Sequence, residues 1–361
     1  MRIWGITGTN GKTTTTWILN EFLGGGYITT VEVFTGARRF STGYTTPPLS
    51  VLKDIFAEME ANGLSDCTME VSSHAIHQRR TGDTVFTGGA FTNLTEDHLD
   101  YHKTMEAYFQ VKADFFRRMA EDSPGASAAI CVDGDYGRRL FEICGELPLR
   151  RIACGLTVED DEELVAFIRE KCPLVGDYNV QNVLLATALA RGAGMDEDSI
   201  RAKIPLLKPR WGRLERVETR SEAEVFVDFA HTDDALANVL STVRSFTKGN
   251  VWAVFGAGGD RDRAKRPLMG AAAAQCADRI VVTSDNPRSE DPLAIIAEIA
   301  AGIPEDAECF VEPDRAKAIA YALANAQKGD VVVVCGKGHE TTQEIAGVKH
   351  PFDDREVCRE F

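Results

Sequence analysis

The sequence predicts an α/β protein of two domains with mostly parallel sheets, on three observations. Short apolar runs alternate with longer helical patterns along the chain. Several of those runs end in a polar, glycine- or proline-bearing loop, as strands do when their carboxyl ends line a ligand crevice. The 361 residues exceed an ordinary single domain.

Taken in order, RIWGIT (Arg2 to Thr7) reads as a strand, and Thr13 to Phe22 as a helix behind a glycine turn. CTMEVS (67–72), GAFTN (89–93) and AAICVD (128–133) read as further strands, and Thr104 to Met119 as a helix. Ser199 to Leu207 leads into the linker-like Lys208-Pro209-Arg210-Trp211-Gly212-Arg213, which places the boundary between domains of 1–207 and 208–361. Beyond it stand VWAVF (251–255), RIVVT (279–283) and VVVVC (331–335), separated by helical patterns around 292–301 and 314–326. The loops GAGGDRDRAKR, SDNPRSEDP and GKGHETTQ follow these three strands and are expected to share one crevice.

Composition narrows the class of protein. Hydrophobic residues make up 44% and charged residues 26%, as in soluble globular proteins. A net charge of −15 disfavours non-specific binding to nucleic acid. No apolar stretch reaches membrane-spanning length and no signal peptide precedes the first strand, so a cytoplasmic protein without membrane insertion is expected, with a monomer as the default. The nine cysteines are scattered without a CxxC pair, which reads as reduced thiols rather than a disulfide or zinc framework.

The stretch GTNGKTTTT (8–16) carries the clearest chemistry. The general phosphate-loop pattern needs a glycine five residues before Gly11, where Ile6 stands; the shorter form Gly8-x-x-Gly11-Lys12-Thr13 remains. Backbone N–H groups at a helix N-terminus can converge on phosphate, Lys12 adds charge, and the Thr13 hydroxyl can ligate Mg²⁺. Glu70 sits in an apolar strand, where a carboxylate is costly unless salt-bridged or metal-bound. The stretch TEDHLDYH (95–102) packs three carboxylates with His98 and His102 at i, i+4, a spacing that also occurs in zinc sites, although HExxH is absent. Lys112 follows Tyr108 by four and precedes Phe115 by three, on the apolar stripe of its helix. Composition alone expects it to snorkel to solvent; buried, it would lose charge and could react with CO₂ to give a carbamate that bridges metal ions.

Eleven motifs then assemble in one order: GTNGKTTT, MEVSSHAI, FTNLTEDHLDYH, MEAYFQVK, GDYNVQNVLLA, GRLERV, VDFAHTDDAL, FGAGGDRDRAKRPLMG, DNPRSEDP, GKGHE and FDDRE. From residue 5 to about 357 the chain resembles the Mur ligase family, specifically its diaminopimelate-adding branch. The resemblance implies a P-loop-type central ATPase domain followed by a Rossmann-like C-terminal domain that binds the amino acid. It implies an ATP-dependent amide ligase of peptidoglycan precursor synthesis, with ATP and Mg²⁺ as cofactors. Gly8, Thr9, Asn10, Gly11, Lys12, Thr13 and Thr14 would hold the ATP phosphates. Thr13, Glu70, His98 and carbamylated Lys112 would complete the magnesium sites. Asn179 and Asn182 would contact the base region, Arg213 the γ-phosphate, and Asp228 and His231 the ribose and phosphates, with His231 a possible base for the amine. Thr45, Thr46, Ser72, Gln78 and Arg80 match positions that hold the muramyl-peptide acceptor. Asp285, Asn286 and Arg288 match the diaminopimelate loop, with Arg261, Gly336 and Glu340 around the same amino acid; Arg288 can fork onto a carboxylate and Glu340 can pair with an ammonium.

The chain departs from the family pattern in one large respect. Members carry a UDP-gripping domain ahead of the phosphate loop, whereas only Met1 to Thr7 stand there. The expectation is therefore a family member lacking that domain, which leaves a non-UDP acceptor, as in folylpolyglutamate synthetases, as the alternative. Phe229 stands where a Tyr is usual and Asp233 where a Pro is usual. A non-catalytic nucleotide-binding paralogue is disfavoured by intact Lys12, Glu70, His98 and Lys112. The switch and kinase loops of a GTPase or kinase are not found.

Overall fold

The computed structural model describes residues 1–209 and 212–361; Arg210 and Trp211, within the expected linker, lie outside the described residues. The chain divides into two compact units, Met1–Thr95 with His102–Lys208, and Glu96–Tyr101 with Pro209–Phe361.

The first unit is built on strands β1 (Arg2–Thr7), β2 (Gly26–Ile28), β3 (Val33–Phe34), β4 (Arg39–Phe40), β5 (Asp66–Glu70), β6 (Gly88–Phe91), β7 (Ser127–Cys131) and β8 (Arg150–Cys154). They form one sheet in the order β4-β3-β2-β5-β1-β6-β7-β8. All neighbours pair parallel except β2–β3 and β3–β4, an antiparallel meander too short to show as periodicity in the sequence. β1 lies between β5 and β6, in register Ile6↔Glu70 and Thr7↔Phe91. The loops after these three strands therefore leave side by side, at the point where strand order reverses. Against the sheet packs the helix Met105–Asp122, capped by the Thr104 hydroxyl accepting from Ala107 N. Its apolar stripe buries Tyr108, Phe109, Phe115, Phe116 and Met119 in the main core. Each large side chain so buried contributes about 1.5–3 kcal/mol.

The second unit holds β9 (Glu215–Val217), β10 (Glu224–Asp228), β11 (Val251–Phe255), β12 (Arg279–Val282), β13 (Cys309–Val311) and β14 (Val331–Cys335), ordered β13-β12-β11-β14-β10-β9. Only β9 runs antiparallel. Side-chain alternation places Val251, Ala253 and Phe255 in one core and Trp252 and Val254 in the other. Helices cover both faces, so the expected doubly wound sheet is present. An antiparallel hairpin, β15 (Thr342–Ile345) and β16 (Val348–Pro351), follows β14 and was not legible in the sequence. All nine cysteines are free thiols. No helix among the described residues is long and apolar enough to cross a membrane.

Candidate active site

The phosphate loop joins β1 to the helix Lys12–Leu23. Gly11 caps that helix in the left-handed conformation (φ 82°) with no side-chain cap, so the first helical N–H groups stay directed at the loop. A Cβ at Gly11 would stand 2.5 Å from Asn182 Oδ1. The loop is pinned from outside: Thr9 N donates to Asn93 O and Asn10 N to Asn93 Oδ1, both at 2.9 Å. Lys12 Nζ lies along the loop, donating to Thr9 O at 2.7 Å and Gly8 O at 3.0 Å. Asn179 and Asn182 belong to the helix Asp177–Gly192. Asn182 accepts from Thr15 Oγ1 and donates to Asn179 Oδ1, which braces the start of the Lys12 helix.

Glu70 ends β5 and is buried, with no salt bridge among the described residues. Its carboxylate instead accepts from Thr13 Oγ1 (2.8 Å) and Thr30 N (2.8 Å), with Thr30 Oγ1 3.2 Å away. Thr30 was missed in the sequence, because only the fold brings it against β5. Lys112 does not snorkel. It is 1% exposed, its Nζ donates to Gly8 O at 2.7 Å and lies 4.6 Å from the Tyr108 ring centre. The Tyr and Phe side chains around it close the route to solvent that a helical lysine ordinarily takes.

A carboxylate and hydroxyls facing a phosphate loop form the all-oxygen donor set that suits Mg²⁺, which takes few protein ligands and completes its shell with water and substrate phosphate. That fits the finding that, among the described residues, no three His, Cys, Asp or Glu side chains converge as a metal cage. His102 Nε2 lies 2.9 Å from Ser73 Oγ. His98 lies in the segment that groups with the second unit, at φ 57° and 3.4 Å from Asp97 Oδ2. Within the first unit, Lys12, Thr13, Glu70 and Lys112 thus gather around one loop.

The acceptor candidates cluster beside Glu70. Thr46 Oγ1 donates to Glu70 O and accepts from Ser72 N, and Thr45 Oγ1 accepts from Thr30 Oγ1. Arg80 donates to Gln78 Oε1 at 2.9 Å and to Thr46 O at 3.4 Å. Ser72 also caps the short helix Ser73–His77.

In the second unit Asp228, at the end of β10, is buried and receives Leu214 N and Ala230 N. Burial raises its pKa. The Arg213 guanidinium stacks 4.7 Å from the Phe229 ring centre, so the unusual Phe serves as a platform for it. His231 must donate from Nδ1, because its partner at 2.8 Å is the Phe229 carbonyl; Nε2 is then the acceptor nitrogen. Burial, reinforced by Lys265, lowers the His231 pKa to about 4, and burial with Arg213 lowers that of His339 to about 3. A base near 4 is poorly matched to an ammonium at neutral pH. Both histidines are neutral in the fold at pH 7, while the unfolded chain takes up protons near 6.5. Their contribution to stability is therefore present above about pH 6.5 and is lost as pH falls toward the folded values. For His339 the loss by pH 4 is on the order of a few kcal/mol. Melting temperature is expected to fall between pH 7 and 4.5, and less steeply in His339→Gln. Equal slopes would show that His339 is not the source.

The loops after β11, β12 and β14 interlock. Gly259 N donates to Asn286 O, Arg288 Nη1 donates to Gly259 O at 2.6 Å, and a Cβ at Gly259 would meet Pro287 O at 1.9 Å. The hairpin holds Arg288 (φ 52°) by backbone bonds in both directions: Arg288 N to Glu344 O, and Ala346 N to Arg288 O. Lys337, fully buried and overlooked in the sequence, joins the polar groups. Its Nζ stands 3.0 Å from Glu340 Oε2, 3.1 Å from Asn286 Oδ1 and 3.5 Å from Asp285 Oδ1. Asn286 Nδ2 donates to the same Glu340 oxygen at 2.8 Å. Arg261 is exposed at the rim, its Nη1 donating to Asp260 O, and Gly336 turns at φ 114°.

Comparison with known proteins identifies the family. The Mur ligase middle domain matches residues 6–190, and the Mur ligase, glutamate ligase domain matches 212–338. The UDP-N-acetylmuramoyl-L-alanyl-D-glutamate--2,6-diaminopimelate ligase of Synechococcus sp. (strain WH7803) is 42% identical over 388 residues, covering 100% of this chain and 77% of that protein. The same-named enzyme of Streptomyces coelicolor is 43% identical, covering 99% and 75%. A solved structure of a ligase of that name superposes with a TM-score of 0.64 at 32% identity, over 100% of this chain and 78% of the other. The folylpolyglutamate synthase of Mycobacterium tuberculosis shares the fold alone, at TM-score 0.69 and 17% identity over 93% and 88%. Two domain matches on either side of the linker, and identity above 40% along the whole length, leave one conclusion: the chain belongs to the Mur ligase family, ATP-dependent enzymes that form a C–N bond in peptidoglycan precursor synthesis.

Proposed function

We propose that the chain adds meso-diaminopimelate to the D-glutamyl carboxylate of a muramyl-dipeptide acceptor by way of an acyl phosphate. The observation that carries this reading is the interlocked loop system of the second unit. It offers guanidinium groups at Arg288 and Arg261 together with a carboxylate at Glu340, the complement of a ligand bearing both carboxylates and ammonium groups.

In the first unit, the N–H groups after Gly11 and the Lys12 ammonium take the ATP phosphates. Thr13, Glu70, His98 and Lys112 as its carbamate would hold Mg²⁺, which when bound supplies charge neutralisation at the phosphates. Burial of Lys112 within reach of the phosphate loop supports the carbamate, since it holds the side chain in place away from solvent beside the loop. Thr45, Thr46, Ser72, Gln78 and Arg80 orient the acceptor. Its carboxylate oxygen attacks the γ-phosphorus and ADP leaves; the free amine then attacks the acyl carbon, phosphate departs and the amine proton passes to solvent. In the second unit Arg213 steadies charge on the transferring phosphoryl group. His231, neutral and presenting Nε2, serves as a hydrogen-bond acceptor near the ribose rather than as the base. A cytoplasmic location follows from the need for ATP.

Phosphate release from ATP, measured with diaminopimelate, lysine or glutamate and with or without UDP-MurNAc-L-Ala-D-Glu, tests the reading. Release is expected only with diaminopimelate and acceptor together. Release without acceptor, or only with glutamate and a folate, would overturn it.

A further inference from the structure

The FDDRE stretch has no part in the roles above, yet it anchors the best-buried ion pair of the second unit. Asp354 opens the helix Asp354–Glu360, and Arg315 opens the helix Arg315–Asn325. Neither side chain has exposed surface. Arg315 Nε donates to Asp354 Oδ1 and Nη2 to Oδ2, both at 2.7 Å. The fork leaves the guanidinium two further contacts, Nη2 to Cys335 O at 2.9 Å and Nη1 to Ser284 O at 3.3 Å. Those two carbonyls stand immediately before Asp285 and Gly336, where the DNPR and GKGHE loops begin.

β12 and β14 are not neighbours, because β11 lies between them. No ladder hydrogen bond can fix the distance between their ends; Arg315 spans the intervening strand and does. A Cβ at Gly336 would stand 3.4 Å from Asp285 Oδ2 and 3.9 Å from Arg315 Nη2, so the two loop origins and the guanidinium share one packed spot. Stability by itself does not call for charge here, since a buried ion pair replaced by apolar groups of similar volume is often neutral or stabilising. What apolar groups cannot do is donate to two carbonyls on separate strands.

We propose that Arg315 and Asp354 are a positioning pair that sets the spacing of the Asp285–Arg288 and Gly336–Glu340 loops and thereby the affinity for the amino-acid substrate. The proposal rests on the reading that these loops hold that substrate. Arg315→Met with Asp354→Leu in the full chain removes both charges together and is expected to keep a melting temperature near that of the wild type. KM for the amino acid is expected to rise about tenfold or more, the scale of losing a charged hydrogen bond, with KM for ATP within about twofold. A variant of normal stability and unchanged amino-acid KM would overturn the proposal. Arg315→Lys, which keeps the charge and loses the fork, is expected to show the same split should the double variant not fold; an unchanged KM there overturns it equally. Wild-type protein assayed alongside separates the two claims. If it uses lysine or glutamate instead of diaminopimelate, the substrate assignment falls and the variants are assayed with the amino acid it does use.

Discussion

Replacing Lys112 with alanine is expected to lower ligase turnover by about a thousandfold, the scale seen when a preorganised electrostatic group is removed from a site. The argument is structural as well as chemical. Lys112 reaches Gly8 O from the apolar stripe of a helix whose Phe109, Phe115 and Phe116 are core residues, so its amine is held in place and desolvated. Two companion measurements separate the roles of that amine. Short carboxylates such as formate or acetate are expected to restore part of the activity of Lys112→Ala, by standing in for a carbamate. Lys112→Arg places a fixed positive charge there and forms no carbamate, and is expected to be as impaired as the alanine variant. Substantial activity in the arginine variant would show that a cation bound to Gly8 O is what the site needs.

The second large effect is expected at Gly11. Alanine there must hold a left-handed backbone at φ 82°, at about 1–2 kcal/mol, while its Cβ meets Asn182 Oδ1 at 2.5 Å. Asn182 cannot simply swing away, because Thr15 and Asn179 hold both ends of its amide. The strain is relieved by moving the helix N-terminus, whose N–H groups we propose bind phosphate. We expect kcat/KM for ATP to fall about a hundredfold or more, the cost of misplacing groups that must converge on one phosphate. Gly24 is the control. It caps the other end of the same helix at φ 70° with nothing within 4 Å of an added Cβ. Gly24→Ala is expected to lower stability by about 1 kcal/mol and leave KM for ATP unchanged. Equal ATP defects in the two variants would show that helix stability, rather than loop geometry, is responsible.

Part of the candidate site reads directly from the sequence. Local chemistry announces itself locally: Gly8 to Thr14 read as a phosphate loop because glycine turn, lysine and hydroxyl must be consecutive, and their spacing is the signal. β11, β12 and β14 were visible because strands buried on both faces read as apolar runs. The meander β2–β4 and the hairpin β15–β16 were not, since strands of two to four residues are too short to carry a usable period. Thr30 and Lys337 were missed for another reason. A threonine in a turn and a lysine between glycines look like solvent-facing residues until the sheet brings Glu70 to the one and Asp285, Asn286 and Glu340 to the other.

The sequence by itself determined the order of the elements, the phosphate loop, the motif set that marks the family and the residue types a ligase needs. Those follow from contiguous chemistry and short-range periodicity. Only the tertiary structure decided that Lys112 is buried rather than solvated and that Glu70 is served by a hydroxyl and a backbone N–H. It also decided that Arg315 reaches the ends of two strands that do not touch. Each of these depends on groups far apart in the chain, 104 residues for Lys112 and Gly8, 57 for Thr13 and Glu70, and 39 for Arg315 and Asp354. Burial sets the cost of an unpaired charge, and burial is a property of the packed fold, not of any window of sequence.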